Sequence, residues 1–484
     1  MFGLIFFAII LVIIYKYFFK NNIEKPQGFE DVPLISGLPV AWAYLRQRNY
    51  DEIGDLLRKL SGGHELFLSR IGSHIQVNIA SPDYAKILLT QSEDNAPKSE
   101  QKPEGVLYKF FGNGLPFSNG DIWRTYRKLA TPAFNNALSP EMVGETTLDL
   151  FSFIQQNLNR PIDVFEVMQR TTIEVLGKLA FGYKFGCLES EETPHIIKVY
   201  KYIISTIVSP FRHVFPWITK FSNGKFLNAI EEFDGFIFDI IETKRNEIKK
   251  NHHKGHDLLT SMLELGEQEG IDTNIKQLRD EMVNFFVAGH DTTSMSLSIS
   301  LYYLAKYPEM QEKARAEVIN ILGNEPNTLP NSDQIKEFKY INAIIKESLR
   351  IHPPVPVITF RKLKKPIKIG PYILPVNASC LVNAWQIHHN PKYWENPKQY
   401  NPERFLDNEK KHPFSWVPFS AGPRTCIGQN FSLMEQKVIL SMLLLKYNWT
   451  LPKNSINKDK LLLAPQFLLR PVDLKLIFTE RIEG

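Results

Sequence analysis

Ten residues, FSAGPRTCIG (Phe419–Gly428), restrict the backbone of this chain more than any others. Gly422-Pro423 marks a tight turn, and from Phe431 to Leu440 apolar residues recur at helical spacing. Cys426 is therefore predicted at a turn-to-helix junction, on or just before the helix's first exposed amides. Those amides and the helix dipole favour an anion, so the junction favours thiolate over thiol. Gly428 leaves room for something bulky and flat to approach the backbone. A lone cysteine is most often a small buried hydrophobe, so the rest of the chain must decide between packing and chemistry.

At 484 residues the chain exceeds the usual size of one hydrophobic core, so two lobes or one large domain are expected. An apolar share of 43% and a charged share of 23% are those of an ordinary globular protein. A net charge of +5 is small for this length and argues against nucleic-acid binding. Cys187, Cys380 and Cys426 are too few and too scattered for a disulfide framework or a four-cysteine zinc site, which fits a reducing compartment. The N-terminus differs from the rest. No charged side chain occurs from Met1 to Tyr15, and Lys16, Lys20 and Lys25 all follow the apolar run. About 20 apolar residues span a bilayer, and a lysine near the end can snorkel to the interface. No small-x-small cleavage site follows, so residues 1–20 read as an uncleaved anchor rather than a signal peptide. The lysine flank keeps the rest of the chain in the cytoplasm. Residues 21–40, with Pro26, Pro33 and Pro39, read as a stiffened linker, and residues 41–484 as the catalytic domain.

Along that domain, IGSHIQVNI (Ile71–Ile79) alternates like one arm of a hairpin, and IKIGPYILP (Ile367–Pro375) looks like a second hairpin. PEMQEKARAEVINIL, opening on Pro308, and the stretch from Asp280 to Ala305 have helical spacing. The chain is predicted to be mainly α with a small β portion. His252, His253 and His256 sit in a basic, glycine-containing stretch without a closed ligand set, and read as a solvated loop. GNGLPFSNG (Gly112–Gly120) has Phe117 where a dinucleotide loop needs its third glycine. Any electrons the protein uses come from elsewhere.

Chemistry gathers in three further places. In FFVAGHDTTSMS (Phe285–Ser296), Ala288 and Gly289 leave a gap on one helix face, followed by Asp291 and Thr292. A mid-helix threonine can bond back to the carbonyl four residues earlier and distort the ladder. The segment is either a groove with a proton-relaying hydroxyl and carboxylate or a packing notch. Glu347 and Arg350 share a helical face, as do Glu242/Arg245 and Glu312/Arg315, and most such pairs are surface salt bridges. Only Glu347/Arg350 ends in a helix-stopping His-Pro-Pro, and Arg404 of NPERF can join it in a buried network. In DIWRTYRK, Trp123 and Arg127 present an indole N–H and a guanidinium four residues apart. Arg361 and Arg424 are further guanidinium groups, suited to binding carboxylates bidentately.

Together these residues resemble the cytochrome P-450 family. FSAGPRTCIG fills its F-x-x-G-x-R-x-C-x-G signature at every position, AGHDTT matches its oxygen-binding helix, and Glu347, Arg350 and Arg404 match its charge triad. Trp123 and Arg127 match its haem-side helix, and the motifs keep the family's order from about residue 30 to the C-terminus. The resemblance implies the P-450 fold, with a non-covalent haem b between the oxygen-binding helix and the cysteine loop. It implies Cys426 as axial thiolate, Phe419 near the sulfur, Gly428 beside the ring, and Arg424, Trp123, Arg127 and Arg361 on the propionates. Lys98 or Lys102 would add a further cation, and Ala288 and Gly289 would border the haem, with Asp291 and Thr292 catalytic. The implied function is a monooxygenase in the endoplasmic reticulum membrane, facing the cytosol and acting on an apolar substrate. Its electrons would come from a separate NADPH-cytochrome reductase, with a b-type microsomal cytochrome as a second donor. Arg124, Lys128 and Lys437 would form a basic docking face. Substrate lining is expected from Leu107–Phe117, Val199–Phe221, Phe285–Ala288, Val355–Thr359 and Gln466-Phe467. Oxygen-independent isomerases or dehydratases and a non-enzymatic haem binder are the alternatives; the former depart from the Asp-Thr pair that is intact here. A branch hydroxylating fatty-acid chain ends reads E-G-H-D-T-T, its glutamate able to esterify a haem methyl. Ala288 has no such group.

Overall fold

Apolar and polar residues alternate through His74–Ile79, which pairs antiparallel with Leu66–Ile71, Leu66 opposite Ile79 and Ile71 opposite His74. The computed structural model describes residues 25–71, 74–209, 224–250, 257–407, 411–466 and 468–481. The chain divides into two compact units. One is drawn from Met1–Ser99, Val355–Pro397 and Lys410–Thr425, the other from Glu100–Pro354, Lys398–Glu409 and Cys426–Gly484.

The first unit is built on strands β1 (Leu34–Ser36), β2 (Leu66–Ile71), β3 (His74–Ile79), β4 (Ile358–Lys362), β5 (Ile367–Ile369), β6 (Tyr372–Leu374) and β7 (Ser379–Val382). Five form a sheet in the order β1-β2-β3-β7-β4, with β1 parallel to β2 and β3 parallel to β7. β5 and β6 make the separate hairpin that IKIGPYILP predicts. Beneath the sheet, Leu68, Ile79, Ala85, Leu88, Leu363, Ile369 and Cys380 form a core. Burying each large apolar side chain is worth about 1.5–3 kcal/mol. Phe29 and Val32 belong to that core and β1 is already in the sheet. The segment expected as a linker to residue 40 is thus folded from Phe29 onward, because its apolar residues find a sheet to cover.

The second unit is mainly helical. Its site-bearing helices are α1 (Gly120–Asn136), α2 (Val164–Leu176), α3 (His195–Ile207), α4 (Ile275–Lys306), α5 (Lys339–Ile351) and α6 (Gln429–Lys446). Asn274 caps α4, its side chain accepting from the amides of Lys276 (2.9 Å) and Gln277 (3.3 Å). Pro308 then opens the next helix, Pro308–Leu322. α4 is buried almost all round, and its serines and threonines are satisfied within the interior. Thr293 Oγ1 meets Ser432 Oγ of α6 (2.9 Å), and Ser300 Oγ donates to Ser348 Oγ of α5 (2.9 Å). A small antiparallel sheet joins Pro161–Asp163, Lys475–Glu480 and Tyr447–Thr450.

One pair expected on the surface lies elsewhere. Arg315 is 4% exposed and donates to Leu444 O, Tyr447 O (3.2 Å) and Asn448 Oδ1 (2.7 Å), while Glu312 stays in solvent. The guanidinium caps the C-terminal carbonyls of α6, a use that i,i+3 spacing cannot reveal. The predicted anchor, residues 1–20, and His252, His253 and His256 lie outside the described residues. Among the described residues no helix is long and apolar enough to cross a membrane. Nor, among them, does any cluster of His, Cys, Asp and Glu suit a metal ion.

Candidate active site

The cysteine loop turns as its composition requires. Gly422–Arg424 is a single 3-10 turn, and Gly428 precedes the first residue of α6. Gly422 has φ +70°, and a Cβ there would stand 2.2 Å from Leu89 O, so glycine is required twice over. A Cβ on Gly428 would meet only Phe134 at 3.8 Å, so no protein neighbour demands glycine at that position. Cys426 is the accessible thiol of the three; Cys187 and Cys380 are buried, and burial pushes both up to about 12. The protein around Cys426 raises its thiol too, against a hydrogen bond from the Gly428 backbone and the Arg127 guanidinium, which lower it. The Gly428 amide is the kind of donor expected at the junction, and Arg127 is a cation that the local sequence does not reveal. Phe134 of α1 packs edge-on against Phe285 of α4 (5.1 Å) and Phe431 of α6 (6.4 Å), tying the three helices together. Trp123 and Arg127 lie one turn apart on α1, both half-buried.

In the first unit, Arg361 and Arg424 share one carboxylate, Glu93. Arg361 Nη1 donates to Glu93 Oε1 (3.2 Å), and Arg424 contacts both Glu93 oxygens through Nε and Nη2. All three are at most 8% exposed. Lys98 faces Arg361 across a β-bridge, whereas Lys102 is exposed. Burial, then Arg361 and Arg424, push the Lys98 ammonium well below its ordinary value, with Glu93 opposing. Phe419 lies in the same unit, its ring 6.0 Å from Trp416.

On α4, Thr292 Oγ1 donates to Ala288 O (2.7 Å), the back-bond that the sequence predicts. Ala288 is exposed on a helix that is otherwise nearly all buried. Gly289 serves packing instead: a Cβ there would lie 3.0 Å from Leu176 of α2. Neighbouring helix positions point about 100° apart, so Gly289 meets α2 while Ala288 stays accessible. Asp291 is buried and held from three elements. It accepts from Gln169 Nε2 of α2 (2.6 Å) and Tyr200 Oη of α3 (2.7 Å), and pairs with Arg470 Nη2 (3.4 Å). Burial alone would raise its pKa, but His290, Arg470, Tyr200 and Gln169 hold it below the usual carboxylate range. His290 itself is pushed down by burial, and its Nδ1 is 2.5 Å from Phe286 O. Asp291 is thus an anion aimed at α2 and α3. Gln169, Tyr200 and Arg470 all lie far from it in sequence, and no spacing rule finds them.

The predicted triad forms at the end of α5. Arg350 donates through Nε and Nη2 to both oxygens of Glu347 (2.7 and 2.8 Å), and Arg404 Nε donates to Glu347 Oε1 (3.1 Å). Glu347 and Arg350 are 0% exposed and Arg404 9%. The basic docking face is less basic than expected. Arg124 pairs with Asp121 (2.8 Å) and Lys128 with Glu269, while Lys437 donates to Ile335 O (3.3 Å) and burial lowers its pKa.

The family model described as cytochrome P-450 matches residues 32–478. The chain belongs to the cytochrome P-450 family. It is 31% identical over 440 residues to an ultra-long-chain fatty acid omega-hydroxylase of Homo sapiens, covering 86% of this chain and 81% of that protein. It is 30% identical over 419 residues to cytochrome P-450 4F4 of Rattus norvegicus (81% and 78%) and 29% over 426 residues to a cytokinin hydroxylase of Arabidopsis thaliana (84% and 81%). This P-450 is a haem-thiolate monooxygenase, and the mainly helical fold with its small sheets is that of the family. Its residues suit the cofactor. One thiol is accessible while two are inert, and three cations gather about a single carboxylate, a setting for a group that itself carries two carboxylates.

Proposed function

We propose that this P-450 is a membrane-anchored hydroxylase of extended apolar molecules, with a fatty-acid chain as the first substrate class to test. The observation that carries the reading is one turn of α4 bearing an accessible Ala288, the Thr292 hydroxyl and an anionic Asp291. Names of relatives support the substrate class, two of the three being hydroxylases by name. The apolar run from Met1 and the lysines after it support an anchor in the endoplasmic reticulum membrane with the remainder in the cytosol. Electrons come from a separate NADPH-cytochrome reductase, with a b-type microsomal cytochrome as second donor.

Haem, bound through the Cys426 thiolate, supplies the oxygen activation. Arg127, Arg361, Arg424 and Lys98 would neutralise its two carboxylates, and the Trp123 indole N–H would donate to them. Thr292 holds a proton at Oγ1, resting on Ala288 O. Asp291, an anion, would relay to that hydroxyl a proton taken up from solvent. Its partner Arg470 is 26% exposed in the side chain and gives the buried carboxylate a link to solvent. The Phe-rich surroundings exclude bulk water and leave substrate recognition to apolar contact.

The test uses the full-length protein in membranes with a reductase and a series of saturated fatty acids. Substrate-dependent NADPH oxidation, with one oxygen atom in the product, is expected. Turnover that needs neither NADPH nor O₂ would instead assign an isomerase.

A further inference from the structure

One stripe of α4 reads the main chain of a loop. Gln277, Asp280, Glu281 and Asn284 follow i, i+3, i+4, i+7 spacing and so share a face. Gln277 Nε2 donates to Asn113 O (2.9 Å), and Asp280 Oδ2 accepts from Asn113 N (2.8 Å). Glu281 Oε2 accepts from Leu115 N (2.9 Å), and Asn284 Nδ2 donates to Phe111 O (2.7 Å). Four side chains thus engage four peptide groups of residues 111–115, just after the helix Val106–Phe111. From the loop side the fit is equally close. A Cβ on Gly112 would fall 2.0 Å from Asp280 Cγ, and one on Gly114 2.4 Å from Asn284 Nδ2. The loop's glycines, which supply no dinucleotide fingerprint, let its backbone lie flat on the helix.

The stripe continues to Ala288, one turn beyond Asn284 on the same face. A loop rarely warrants three buried polar side chains and a fourth that is half-buried, and each buried one is costly unless satisfied. We propose that Gln277, Asp280, Glu281 and Asn284 are positioning residues that fix the loop 111–115 on the face of α4 that leads to Ala288, and thereby set how far an apolar ligand extends along α4. The inference rests on the monooxygenase site proposed above and adds a determinant of its substrate length. The residues touch the loop, not the reacting atoms.

The experiment uses the full-length, haem-loaded protein and straight-chain 1-alkylimidazoles of four to twelve carbons, whose ring nitrogen ligates iron and shifts the Soret band. Affinity should rise with chain length to an optimum. Asn284→Ala from the helix side and Gly114→Ala from the loop side should each move that optimum by two carbons or more. They should also speed amide exchange of Asn113 and Leu115 about tenfold. Gln277→Ala, at a half-buried position, carries the same test if either variant loads haem poorly. An unmoved optimum overturns the proposal, whether or not exchange quickens, since a merely structural contact changes exchange and stability without changing length preference. A wild-type protein that shifts with no alkylimidazole would instead sink the haem-site reading on which the inference stands.

Discussion

Ala288 ends in a methyl group, and at the position before Gly289 nothing else can bond to a haem edge. Cold acidic organic solvent is therefore expected to extract essentially all haem from the precipitated protein; haem left on the polypeptide would overturn that assignment. Cys426 carries the ligation. Cys426→His should abolish the red-shifted Soret band of the reduced, carbon-monoxide-bound form, whereas Cys187→Ala and Cys380→Ala should keep it, both thiols being buried and inert. Thr292→Ala should bind haem and substrate normally yet lose electrons to peroxide, so that NADPH consumption exceeds product. Unchanged coupling would reduce Thr292 to a helix-shaping role. The cysteine turn, the small Ala288 and the Thr292 back-bond are all legible in a single reading of the chain, because each is a local feature. Glu93 is not legible that way: its meaning comes from Arg361 and Arg424, each more than 260 positions away.

At the scale of the helix, burial decides what a charge pair is worth. Glu347/Arg350 and Glu312/Arg315 have the same spacing, and His-Pro-Pro after Arg350 is the signal that separates the first as buried. The second was misread because the carbonyls that draw Arg315 inward lie at Leu444 and Tyr447, over 125 positions later. Arg350→Ala leaves Glu347 buried beside one remaining arginine, which typically costs about 3–5 kcal/mol. Little folded, haem-loaded protein is expected, and Arg315→Ala should also lower the yield by leaving the end of α6 uncapped. A wild-type yield for Arg350→Ala would show the triad to be dispensable. Glu281 yields a pH dependence. Burial raises its carboxyl from 4.5 to about 8. Between those values the folded state keeps a proton that the unfolded state has lost, so stability falls as pH rises, by about 1.4 kcal/mol per unit from this group. Glu281→Gln should flatten that slope; equal thermal midpoint changes between about pH 5.5 and 7.5 for both proteins would contradict it.

For the whole molecule, length left two lobes or one large domain open, and the chain forms two compact units. Where the units divide was not legible, since each draws on three separated stretches of chain. The N-terminal apolar run leads to a further expectation. Removing residues 1–24 stops short of Phe29 and Val32, which belong to a core, so the shortened protein should keep its carbon-monoxide band. It should also move from the membrane pellet into the supernatant at high salt. Retention in the pellet would place membrane attachment elsewhere.

The loop at residues 111–115 bears on inhibitor design. Ligands often gain selectivity by borrowing a main-chain N–H from a pocket wall, but here the N–H groups of Asn113 and Leu115 are already committed to Asp280 and Glu281. A compound reaching for them must break a buried hydrogen bond to make one, a near-neutral exchange. Medicinal chemistry against this protein should therefore seek potency in an iron-binding head and selectivity in the length and taper of an apolar tail.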